Sequence, residues 1–71
     1  MEKYYLDLIV NEVRNFKEVQ KQWGYDNLND LIAHYIEENV ICSKKDLEKV
    51  IKVLETKLGI KTELKTFNSW W

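Results

Sequence analysis

A single cysteine, no proline and only two glycines occur in these 71 residues, and each scarcity closes off a class of protein. One thiol, Cys42, cannot make an internal disulfide, so the usual extracellular support for a small core is missing and a reducing, cytoplasmic setting is expected. Without proline, the punctuation of the chain falls to Gly24, Gly59 and the polar residues that precede apolar runs. No apolar run approaches the ~20 residues that cross a bilayer, and Met1-Glu2-Lys3-Tyr4 does not open a basic region followed by an apolar one. Neither export nor membrane insertion is expected. Arginine is scarce as well: Arg14 stands alone beside ten lysines. With frequent Asn and Ile, that is the bias of an AT-rich genome, as in many Gram-positive bacteria and their phages.

The residues of chemistry are just as sparse. One His and one Cys fall short of the four ligands of a structural zinc site, and no metal or cofactor is expected. His34 and Cys42, eight positions apart, would lie about 12 Å from each other on a continuous helix, too far for a thiolate-imidazole pair. Cys42 reads as a small buried apolar residue and His34 as an exposed polar one. No Gly-rich phosphate loop, Ser-His-Asp order or two-carboxylate pocket can be read, so catalysis is not expected.

What is present is apolar mass. Hydrophobic residues make up 45% of the chain, with three Trp, four Tyr and two Phe, which suffices for a packed core even with 32% charged residues. A chain this short buries only about 60% of its unfolded surface, so nearly every large apolar side chain must be used. One small domain over residues 1 to 71 is expected.

Periodicity predicts an all-α fold of three helices, near residues 3 to 23, 28 to 39 and 44 to 58. In the first, Leu6, Ile9, Val10, Val13, Phe16, Val19 and Trp23 share one arc at 100° per residue, with Asp7, Asn11, Arg14, Asn15, Glu18, Lys21 and Gln22 opposite. Gly24 would close it in a left-handed turn, with Tyr25 covering Val19. The second opens on Asn27 with Asp30 in capping-box position and buries Leu28, Leu31, Ile32, Tyr35 and Ile36. The third opens on Ser43 with Asp46, buries Leu47, Val50, Ile51, Leu54 and Leu58, and stops at Gly59 with Ile60 over Leu54. Beyond it the pattern divides. Ile60, Thr62 and Leu64 alternate as a strand would, while Leu64, Phe67 and Trp71 fit a short fourth helix.

Charge is distributed unevenly. Residues 24 to 42 hold Asp26, Asp30, Glu37 and Glu38 with no Lys or Arg, whereas residues 43 to 71 carry seven Lys against four acids. Glu37 and Glu38 fall near a helix C-terminus, where the macrodipole disfavours negative charge by about 0.3 to 1 kcal/mol. Three readings follow: neutralisation across the loop by Lys44 and Lys45, themselves misplaced at a helix N-terminus; an acidic patch with His34 amid it, facing a basic protein; or a solvated face with no role. Such a partner could be a nucleic-acid-binding protein whose groove accepts the acids in place of phosphates. Phe67, Trp70 and Trp71 either cover an open edge of the core or anchor a partner or a second copy of the chain. Lys45, Lys49 and Lys52 form a basic stripe, and the second and third helices have the order of a helix-turn-helix. Glu48, Glu55 and the shortage of arginine weigh against DNA.

The reading is therefore a non-enzymatic protein-binding module acting through Asp26, Asp30, His34, Glu37, Glu38, Phe67, Trp70 and Trp71. Size and composition are shared with small regulators and with inhibitors of the kind phages make. The alternative is a dimeric helix-turn-helix-like DNA-binding regulator that uses Lys45, Lys49 and Lys52.

Overall fold

The computed structural model describes residues 1 to 70, and the expectation placed on Trp71 lies outside the described residues. The chain is all-helical: α1 Lys3–Arg14, α2 Phe16–Trp23, α3 Leu28–Glu37, α4 Lys44–Leu58, then a 3-10 helix over Leu64–Trp70. Among the described residues there is no strand, so the alternation of Ile60, Thr62 and Leu64 does not produce one.

Where one long first helix is expected, the structure has two, separated at Asn15. Its backbone leaves helical geometry at φ −106° and ψ 34°. Its side-chain amide donates 3.1 Å to the Asn11 carbonyl, four residues back. Asparagine offers the backbone this local alternative to the helical ladder, which is why it interrupts helices that periodicity alone would continue. The interruption redirects the apolar arc. Ile9, Val10 and Val13 are buried, Leu6, Phe16 and Val19 are half-buried, and Trp23 emerges 64% exposed.

α3 and α4 open as expected, with Asn27 accepting from the Asp30 amide and Ser43 from the Asp46 amide. The ends of the helices follow a different division of labour from the one read in sequence. At Gly24 a single bond runs from the glycine amide to the Gln20 carbonyl, the simple left-handed cap. The Schellman arrangement falls instead at Asn39, at φ 61°, where the Asn39 amide donates to Ile36 and the Val40 amide to Tyr35. α3 accordingly ends at Glu37, two residues short of the expected boundary.

The fully buried core draws on every helix but α2, whose Phe16 and Val19 pack half-buried against it. It comprises Ile9, Val10 and Val13 of α1, Leu31, Ile32, Tyr35 and Ile36 of α3, Leu47, Val50 and Leu54 of α4, with Ile41 from the α3–α4 connection and Phe67 from the tail. α1 lies against α4, and the 3-10 helix returns along α4. The Met1 α-amine closes the α1–α4 contact by pairing with Asp46 at 3.1 Å. Asp46 thus spends its carboxylate on the chain's first residue as well as lying in the favourable first turn of α4.

Candidate functional site

α3 determines where the acids stand. Asp26 and Asp30 are exposed but tied into the α2–α3 turn: the Asp26 amide donates 3.2 Å to Asp30 Oδ2, while Gln20 Nε2 donates to the Asp26 carbonyl. Asp30 is therefore engaged at both ends of the N-cap. Glu37 and Glu38 have no such employment. Both are exposed at the C-terminus of α3, where the backbone carbonyls already carry partial negative charge. Among the described residues the ion pairs are Met1 with Asp46 and Lys65 with Glu63. Lys44 and Lys45, expected to neutralise Glu37 and Glu38 across the connection, make no ion pair with them.

His34 is half-buried, where sequence reading puts it outside. It lies between two tyrosine rings, with centroids 5.9 Å from Tyr25 and 5.7 Å from Tyr35. Beneath it the Tyr35 hydroxyl donates to the Glu12 carboxylate, fastening α3 to α1. Burial and the Glu12 carboxylate push the Tyr35 phenol well above its ordinary range. Tyr25 is raised too, first by burial and then by the negative charges of Glu12 and Glu38. Glu12 is thus a further acid on this side of the molecule, hidden from sequence reading because it sits on a different helix.

The tail brings Trp70 to the C-terminal end of α3. A 3-10 helix repeats every three residues, so Leu64, Phe67 and Trp70 share one side. Under the α-helical spacing assumed from sequence, Trp71 would have followed Phe67. Phe67 is 2% exposed and its ring is spent on packing. Trp70, 39% exposed, lines a shallow groove with Ile36, Glu37, Asn39, Ile41 and Cys42. Cys42 is exposed, contrary to its reading as a buried apolar residue, because the chain leaves α3 before reaching it; its thiol donates to the Asn39 carbonyl.

The structure brings Glu37 and Trp70 together and leaves Asp26 at the far end of α3, about 15 Å away along a helix of this length. Lys45, Lys49 and Lys52 are exposed on α4. The connection between α3 and α4 runs over residues 38 to 43, longer than the three or four residues that join a helix-turn-helix. No three His, Cys, Asp or Glu side chains among the described residues gather as a metal would require, and no helix is long and apolar enough to cross a membrane. Family models, curated proteins and solved structures give no match to this chain.

Proposed function

We propose that this chain is a non-enzymatic protein-binding module, an inhibitor or small regulator in kind, that presents the acidic end of α3 and the adjacent Trp70 to a basic protein surface. The observation that carries this reading is the isolation of Glu37 and Glu38. They stand where the α3 dipole opposes them, and no basic side chain among the described residues pairs with them. Each costs the fold about 0.3 to 1 kcal/mol, and a cationic partner is what would offset that cost. Trp70 beside Glu37 adds an aromatic of the type that anchors interfaces.

The test is capture from a lysate, with and without nuclease, on the wild-type chain and on a Glu37→Lys, Glu38→Lys variant. A nuclease-resistant protein held by the wild type and lost from the variant supports the reading. Equal capture by both rules the acids out. Asp30 is left untouched because its carboxylate also caps the α2–α3 turn.

A second reading, a dimeric DNA-binding regulator, draws on Lys45, Lys49 and Lys52, which are exposed without an ion pair among the described residues. It expects affinity for mixed duplex DNA that falls steeply with salt and with Ala at the three lysines. Absence of a band shift at low ionic strength would retire it.

A further inference from the structure

We infer that two shallow grooves meeting at Asn39 and Cys42 form one docking site for a protein segment that carries arginine between apolar side chains. This rests on the binding-module reading and names the chemistry of its partner. The first groove holds Ile36, Glu37, Ile41 and Trp70; the second holds Glu2, Tyr5, Glu38 and Val40, with Asn39 and Cys42 common to both.

Among the described residues neither groove is lined by a Lys or Arg side chain. Among the described residues the one cation there is the Met1 α-amine, already held by Asp46 at 3.1 Å. Three carboxylates therefore rim the site, Glu2, Glu37 and Glu38, and α3 ends among them with roughly half a negative charge on its terminal carbonyls. Ile36 and Ile41 form the buried floor beneath the site, and its accessible apolar surface comes from half-buried Val40 and from two aromatic rings partly open to water, Trp70 at 39% and Tyr5 at 38%. Apolar walls accept apolar side chains, and the carboxylate rim demands a cation between them.

Arginine suits this pairing better than lysine. Its guanidinium is weakly hydrated, takes a carboxylate through two parallel bonds and stacks on an aromatic face. Glu37 and Trp70 on one groove offer both partners at once. The same rim repels phosphate, so nucleic acid is the wrong occupant.

The test uses the full chain labelled with nitrogen-15 and three synthetic peptides: acetyl-Leu-Arg-Leu-Arg-Leu-amide, its lysine counterpart and its glutamate counterpart. The arginine peptide should move the amide signals of residues 37 to 42 and the Trp70 indole, the lysine peptide should bind more weakly, and the glutamate peptide should leave the spectrum unchanged. Glu37→Gln should weaken the arginine peptide about tenfold, the loss expected for one charge-assisted bond, without lowering the melting temperature. Trp70→Ala should weaken it as well, and Glu37→Gln remains decisive if the tail of that variant detaches. Signals moving only elsewhere, or equal binding by Glu37→Gln, overturn the proposal. So does movement of the same signals with protein concentration alone, since the occupant is then a second copy. If the peptides fail while a nuclease-resistant protein is still captured, the groove is wrong and the module reading survives; if capture fails too, both fall.

Discussion

α3 and α4 are built alike on their inner sides and unlike on their outer ones. Each opens on a side-chain cap, and each buries leucine, isoleucine or valine in the same core. Outside, α4 interleaves its lysines with Glu48 and Glu55, so most of its positive charges have an acid within a turn. α3 has no basic residue other than His34, and the acids beyond its cap stand at its negative end. The difference teaches that charge count alone does not mark a binding surface. The lysine face of α4 resembles the solvated side of many helices, whereas the acids of α3 run against local stability.

The largest effects are expected where the two helices are alike, in the core they share. Leu31→Ala in α3 and Leu47→Ala in α4, both fully buried, should each cost about 2 to 5 kcal/mol by urea unfolding. Loss at only one would mean that the two helices do not share a core. Next comes the side-chain hydrogen bond that fastens α3 to α1, the Tyr35 hydroxyl on Glu12. Tyr35→Phe should cost about 1.5 kcal/mol at neutral pH.

That link also gives α3 a pH signature. The Tyr35 phenol is raised in the folded chain above its ordinary 10.0. Its contribution is whole below pH 10 and is lost as pH rises beyond, because the unfolded chain sheds the phenolic proton first. Urea midpoints should therefore fall between pH 9 and pH 11, and the fall should be shallower in Tyr35→Phe. An unchanged slope would show that Tyr35 does not report the contact.

The caps come next. Asn27→Ala and Ser43→Ala should each remove about 1 kcal/mol of stability, with parallel melting curves. The outer charges come last and separate the two helices most sharply. Glu37→Lys and Glu38→Lys should each raise stability by about 0.3 to 1 kcal/mol in low salt while reducing partner capture. Lys49→Glu and Lys52→Glu should stay within about 0.5 kcal/mol of wild type. If the α3 reversals destabilise instead, those acids serve the fold and their claim as a binding surface lapses.

Much of this frame can be read in residue order. α4 runs between the boundaries that Ser43, Asp46 and Gly59 dictate, and the caps of α3 fall on Asn27 and Asp30 as read. What escaped has identifiable causes. Asn15 and Asn39 carry the signals that end α1 and α3, but asparagine breaks or caps a helix less insistently than glycine or proline, so the longer helices were the natural expectation. Cys42 would be buried only on a longer α3, and the helix ends at Glu37, so the thiol is exposed. In the candidate site, Asp30, Glu37 and Glu38 were visible as acids without bases. Glu12, Tyr25 and the Tyr5 end of the second groove were not, since nothing in residue order says that α1 passes beside α3.

Residue order alone sets the helical character of the chain, the starts of α1, α3 and α4, and the opposite charge carried outward by α3 and α4. Those properties are local, set within a few residues by side-chain period and cap chemistry. Which aromatics remain in water is settled by packing, which turns Trp23 out past the break at Asn15, draws Phe67 in and sets Trp70 beside Glu37. Exposure depends on which distant segment arrives to cover a surface, and no local pattern encodes that arrival.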